Sequence, residues 1–151
     1  KYPNMIVLQT FSKAWASASV RLGMAFASEE IIGILNKIKY PYNINKLTQD
    51  YALKILKNPD VIKNWAKETV SLRSDVVYEL KGFKFVEKIY PTDANFVLVK
   101  VTDANDLYTY LTMKGIIVRN RNRVQLCGNC LRITIGTKEE NEELFKALKK
   151  Y

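Results

Sequence analysis

The sequence predicts a mixed α/β protein on three observations. Short apolar runs end in polar turns, amphipathic stretches long enough for helices lie between them, and the pattern changes character near mid-chain. The 151 residues carry 24 lysines and arginines against 15 acids, a formal charge of +9, with 48% hydrophobic residues. That is a globular composition, which argues against disorder. No apolar run approaches the roughly 18 residues of a membrane span, and no leader pattern is present, so a soluble, cytoplasmic chain is expected.

Met5-Ile6-Val7-Leu8-Gln9 reads as a buried strand ending in the polar Thr10-Phe11-Ser12-Lys13. Small residues then lead to Val20 through Ala27, a second buried strand. Ser28 before Glu29-Glu30 is a helix N-cap with acids in the first turn, and Ile31, Ile32, Ile34, Leu35 and Ile38 form a helical stripe. Tyr40-Pro41-Tyr42-Asn43 stops it. Leu47 to Leu56 is helical, Asn58-Pro59-Asp60 breaks the pattern, and a long helix runs from about Val61 to Leu80, stopped by Gly82. Beyond it, Phe83–Val86 and Asn95–Val101 read as strands and Asp103–Met113 as a helix. Ile116–Arg119 and Leu131–Ile135 read as strands, and Glu139–Lys149 as the last helix. This second part is a compact α/β or α+β unit. The first offers two strands and two helices with little to complete a sheet, so it reads as the tail of something larger. The domain reading is 1–58 and 59–151.

The chain contains no histidine. That removes the Ser-His-Asp and Cys-His nucleophile arrangements and every zinc site built on imidazole. Chemistry must come from lysine, tyrosine, carboxylates, cysteine or a cofactor. Cys127-Gly128-Asn129-Cys130 is a metal knuckle, a redox dithiol or a pair of unrelated thiols by spacing. A structural zinc needs four ligands, which this chain does not supply, so no metal is expected. A thioredoxin-like pair opens a helix, whereas Cys130 runs into the strand pattern Leu131-Arg132-Ile133, which favours reduced thiols at a strand start. The positive charge raises nucleic acid as a partner. Lysines interleaved with acids, as from Lys138 to Lys150, read instead as a solvated face, and only Arg119, Arg121 and Arg123 cluster. Neither nucleic acid nor membrane is the expected partner.

Thr10-Phe11-Ser12-Lys13 places a lysine just after a strand, with Arg21 eight residues on. Hydroxyls and a guanidinium hold a dianionic phosphate, and an amine beside positive charge in a partly desolvated pocket loses its proton more readily and becomes nucleophilic. The plain alternative is a common Ser-Lys pair on a strand-exit loop, with Arg21 paired to a neighbouring acid.

Thr10-Phe11-Ser12-Lys13-Ala14 followed by Arg21-Leu22-Gly23 resembles the pyridoxal-phosphate lysine signature of the aspartate-aminotransferase-like, fold type I enzymes. Pro41-Tyr42-Asn43-Ile44-Asn45, Thr92-Asp93-Ala94-Asn95-Phe96, Gly115-Ile116-Ile117-Val118-Arg119 and Cys130-Leu131-Arg132-Ile133-Thr134-Ile135-Gly136-Thr137 extend the likeness to the histidinol-phosphate aminotransferase branch. The resemblance implies an α/β fold made of the C-terminal part of such an enzyme, with two or three strands and helices of the large domain and a complete small α+β domain. It implies that Lys13 condenses with the aldehyde of pyridoxal 5'-phosphate and shuttles the substrate proton, while Arg21 clamps the cofactor phosphate with help from Thr10 and Ser12. Arg132 matches the arginine that pairs with the substrate's anionic end, Arg119 the second arginine favouring a phosphorylated substrate, and Asn95 a residue lining the pocket. The implied reaction is transamination of histidinol phosphate with 2-oxoglutarate to give glutamate, in a homodimer. An aromatic or other amino-acid aminotransferase is the alternative within the superfamily. A basic interaction module for an acidic protein or RNA is the alternative outside it.

Family chains are more than twice this length. The part without a counterpart here carries the acid that pairs with the pyridinium nitrogen, the ring stacked on the cofactor, much of the phosphate loop and a tyrosine donated across the dimer. A parent that transaminates and a 151-residue chain that is nearly inactive alone is the resulting expectation. Ala14 to Ser19 also departs from the family's glycines, and alanine and serine adopt positive φ less cheaply.

Overall fold

A computed structural model describes residues 2–151. The chain divides into two compact units, Lys1–Ala66 and Lys67–Tyr151, and the division falls inside one long helix.

In the first unit β1 (Val7–Thr10) pairs antiparallel with β2 (Gly23–Phe26), Thr10 standing opposite Gly23. Helices α1 (Glu29–Ile38) and α2 (Lys46–Leu56) follow. Both strands read as buried from their sequence, whereas within these 151 residues every β1 residue is exposed, Leu8 at 76%. Apolar runs signal burial only when other layers cover both faces of a sheet. Among the described residues this is a two-stranded ribbon. The apolar stripe of α1 likewise has no buried residue, and Ser28 caps it without a side-chain hydrogen bond. Asn45 does cap α2, its side chain accepting from the Thr48 amide at 2.9 Å.

Helix α3 spans Pro59–Leu80. Pro59, read from sequence as part of a break, is its first residue, because proline's fixed φ and missing N–H suit a first helical position. The second unit then continues with β3 (Val86–Ile89), β4 (Phe96–Val101), α4 (Ala104–Met113), β5 (Arg119–Asn120), β6 (Cys130–Thr134) and α5 (Lys138–Leu148). Its sheet is antiparallel throughout, in the order β3-β4-β6-β5.

Strand alternation sends Val97, Val99, Val101, Leu131 and Ile133 to one face. There they pack with Val76 and Leu80 of α3, Leu107 and Leu111 of α4, and Leu144 and Leu148 of α5. Helices thus cover one face of the sheet, and that layer is the core of the unit.

Two strands lie later than the sequence indicates. Phe83 and Phe85 stack on each other at 5.2 Å between centroids and pack against the core from the turn after α3. Their hydrophobicity therefore marks burial, and pairing starts only at Val86. Gly115, at φ 78, reverses the end of α4 so that the Ile116 amide bonds to the Leu111 carbonyl at 2.9 Å. Ile116 is thereby committed to the helix end, and β5 begins only at Arg119.

Candidate active site

The loop between β1 and β2 gathers the first group of predicted residues. Its two ends are tied together: the Phe11 amide donates to the Leu22 carbonyl at 3.1 Å, and the Thr10 hydroxyl reaches the same carbonyl at 3.2 Å. Ser12 and Lys13 on one side and Arg21 on the other thus flank a closed loop base. Thr10 Oγ1 also lies 2.9 Å from Ser12 Oγ and accepts from the Ser12 amide at 3.1 Å.

Supports not singled out from the sequence hold this loop. Phe11 is buried, its ring 5.1 Å from that of Trp15. The buried Ser17 hydroxyl donates to the Trp15 carbonyl at 2.7 Å and lies 3.4 Å from the Tyr51 hydroxyl. Thr48 Oγ1 donates to the Val20 carbonyl at 3.2 Å, next to Arg21. The Asn45-x-x-Thr48 spacing marks a helix start in the sequence. Only the fold reveals that Thr48 and Tyr51 of α2 brace the loop.

Two non-glycine residues here take left-handed backbone, Ala16 at φ 49 and Arg21 at φ 52. The loop keeps this conformation without glycine, and its hydrogen bonds hold it there. Arg21 Nη1 donates to the Ala18 carbonyl at 2.9 Å, which orients the guanidinium, and among the described residues no acid pairs with it. Lys13 is exposed and, among the described residues, its amine has neither an ion-pair nor a hydrogen-bond partner. Two hydroxyls, a guanidinium and an unengaged amine form a donor set suited to a compound carrying both a phosphate and a carbonyl.

The second group lies on the sheet face that the helices leave uncovered. Arg119 and Arg132 are direct partners across β5 and β6, so both side chains project from that face. Arg132 also pairs in register with Leu98, and its guanidinium lies 5.0 Å from the centroid of the Phe96 ring. Its Nε is buried and unpartnered, a donor with no acceptor in the fold. Lys100 and Lys88 share the face, but Lys100 is neutralised by Glu87 at 3.0 Å, and that hydrogen bond raises its pKa. Among the described residues no acid pairs with Arg119 or Arg132.

Asn95 stands one residue before β4, its carbonyl accepting from the Ile135 amide at 2.9 Å. In strand alternation it keeps step with Val97 and Val99, whereas Phe96 and Leu98 keep step with Arg132. It is therefore not brought onto the arginine face. Arg73, which sequence reading passed over, donates to the Ala94 carbonyl at 2.8 Å, and Thr92 Oγ1 accepts from the Ala94 amide at 3.1 Å. These bonds set the start of β4. Phe96 was missed as well, because its contact depends on cross-strand register. Among the described residues no group of three metal-ligating side chains is assembled, and no helix is long and apolar enough to cross a membrane.

The profile of aminotransferase class I and II matches residues 1–148. Over all 151 residues the chain is 55% identical to the histidinol-phosphate aminotransferase of Bacteroides fragilis, of whose length it spans 44%. The histidinol-phosphate aminotransferase structure from Clostridium acetobutylicum matches with a TM-score of 0.87 at 23% identity, over 96% of this chain and 45% of that one. The enzyme of that name from Sinorhizobium meliloti, solved in complex with pyridoxal-5'-phosphate, matches with a TM-score of 0.80 at 23% identity, over 98% and 41%. These two structures share the fold. With nearly the whole chain inside the family profile, the chain belongs to the class I and II aminotransferases.

Proposed function

We propose that this sequence, within a chain of its relatives' length, transfers the amino group of L-histidinol phosphate to 2-oxoglutarate, giving imidazole-acetol phosphate and glutamate, with pyridoxal 5'-phosphate as cofactor. The observation that carries the reading is the arginine pair: Arg119 opposite Arg132 on an open sheet face, with Arg132 Nε buried and unpartnered. The 55% identity to the histidinol-phosphate aminotransferase of Bacteroides fragilis supports this choice of substrate. Two adjacent guanidinium groups suit a phosphate dianion, and a single planar fork also suits the carboxylate of glutamate.

The β1–β2 loop fits the cofactor by its chemistry. Arg21, Ser12 and Thr10 would supply donors for its phosphate, and Lys13 would be the amine that holds it through its aldehyde. When bound, the cofactor supplies an electron sink for the pair left behind as the substrate's carbon–hydrogen bond breaks. Lys13 Nζ would be the base that takes this proton from the substrate carbon and the acid that gives it back. Arg132 orients the substrate by its anionic end, Arg119 adds discrimination for phosphate, and the Phe96 ring, 5.0 Å from the Arg132 guanidinium, helps to position it. Asn95, which keeps step with Val97 and Val99, is given no part in holding the substrate. The full-length protein is a homodimer acting on small molecules in this reading.

Incubating the full-length protein with pyridoxal phosphate, reducing with borohydride and mapping peptides tests the assignment, with a pyridoxyl label on Lys13 expected. Label on other lysines alone overturns the enzyme reading. Steady-state comparison of histidinol phosphate with phenylalanine tests the substrate, and preference for phenylalanine overturns it in favour of an aromatic aminotransferase.

A further inference from the structure

The turn that opens β6 holds both cysteines of the chain, and the proposed transamination uses neither. Cys127 and Cys130 are free thiols, the first half-buried and the second buried. The Cys130 amide donates to the Cys127 carbonyl at 3.0 Å, and Asn129 takes φ 55 at the third position, the pattern of a type II turn. Such a turn holds its first and fourth Cα atoms within about 7 Å, and disulfides span roughly 4.4–6.8 Å between Cα atoms. Cys130 Sγ is folded back over the turn, 3.5 Å from the carbonyl of Gly128, the residue that follows Cys127.

The backbone around the pair is already held. The Val101 amide donates to the Asn129 carbonyl at 2.9 Å, the Arg121 amide to the Cys130 carbonyl at 2.9 Å, and the Asn129 amide to the Asn122 side chain at 2.8 Å. Closing a bond between the sulfurs therefore asks for side-chain rotation rather than a rebuilt loop. Burial pushes the Cys130 thiol pKa up and the nearby Cys127 adds to this, against smaller opposing effects of Tyr90 and Lys100. The half-buried Cys127 is the sulfur that meets an oxidant first.

We propose that Cys127 and Cys130 form a reversible intramolecular disulfide, which makes the loop joining β5 to β6 a redox modification site. The oxidant class is a low-molecular-weight disulfide. The Cys127 thiolate attacks one of its sulfurs and releases one thiolate, which takes up a proton. Cys130, losing its own proton, then attacks Cys127 Sγ and expels the second. Two protein thiols are oxidised by two electrons and the small disulfide is reduced to two thiols. The bond staples the loop between the strands carrying Arg119 and Arg132, just past Leu126, a residue 93% exposed and held at φ 62.

The test equilibrates the full-length protein in glutathione buffers of rising oxidised fraction, quenches with acid, alkylates and maps peptides by mass. Expected is one product, a peptide holding both cysteines, lighter by two hydrogens and unlabelled. Cys130→Ser should stop at a glutathione adduct on Cys127, and Cys127→Ser should take up almost none. Wild-type protein that halts at the Cys127 adduct, or links only between chains, overturns the proposal. If the serine variants fail to fold, the wild-type peptide map decides alone. None of these readouts depends on aminotransferase activity.

Discussion

Arg119 and Arg132 stand directly opposite each other across two antiparallel strands, and among the described residues no acid pairs with either. Like charges in that relationship repel and lower stability by a few tenths of a kcal/mol. In the proposed reading an anionic substrate bound between them offsets that cost.

Arg119→Gln in the full-length protein should therefore separate function from stability. A charge-assisted hydrogen bond contributes about 1.5–3 kcal/mol, so KM for the phosphorylated substrate should rise roughly 10- to 100-fold. Thermal stability should stay level or rise slightly. An unchanged KM with a lower melting temperature would show that Arg119 is structural.

Ala16 at φ 49 is a second place where the chain accepts strain. Left-handed backbone costs a non-glycine residue about 1–2 kcal/mol, and glycine offsets up to about 1 kcal/mol of that gain by its freedom in the unfolded chain. Ala16→Gly should thus raise stability by roughly 0.5 kcal/mol, read as a higher denaturant midpoint with unchanged slope. A lower midpoint would mean that the alanine methyl packs usefully in the loop.

Gly136 precedes α5 where space is closed. A Cβ there would sit 2.6 Å from Glu140 Oε2 and 2.8 Å from Glu140 Cβ. Glu140 belongs to a capping box: it accepts from the Thr137 amide at 2.8 Å while Thr137 Oγ1 accepts from the Glu140 amide at 3.3 Å. Gly136→Ala should displace Glu140, open the box and cost about 1–2 kcal/mol, measured by equilibrium unfolding. A neutral result would show that the turn relaxes freely.

Tyr151 titrates far from its ordinary range. Its hydroxyl donates to Asp106 at 2.7 Å, and that bond, with partial burial and the acid's charge, pushes its pKa up to about 12. The folded state holds the proton more tightly than the unfolded state. This contribution to stability is complete below about pH 10, the unfolded value, and is lost as pH rises through 12. Phenolate absorbance should include one tyrosine with a midpoint near 12, absent in Tyr151→Phe. A wild-type titration indistinguishable from that of the variant would remove the Asp106 bond.

Much of the molecule is legible without coordinates. Helices α2, α4 and α5 fall within a residue or two of their expected bounds, because helical periodicity is a local signal; the structure adds that Asn45, Asp103 and Thr137 cap their starts. The β1–β2 loop is legible too, since Lys13 and Arg21 are separated by eight residues on one continuous segment. Strand starts were harder. Phe83 and Ile116 are as apolar as strand residues, yet one packs in a turn and the other belongs to a helix end.

By itself the sequence determined the chemistry available: a lysine with hydroxyls and an arginine in one loop, two further arginines, two thiols and no imidazole. Those identities are local, and charge and nucleophilicity belong to the side chain wherever it lies. Only the tertiary structure decided that Arg119 faces Arg132, that Phe96 lies against one of them while Asn95 keeps step with the opposite face, and that Thr48 and Tyr51 brace the lysine loop. Each of these depends on strand register or on a contact between elements far apart in the chain. Register is set by hydrogen-bond ladders and turns acting together, and a shift of one residue would send every side chain to the other face.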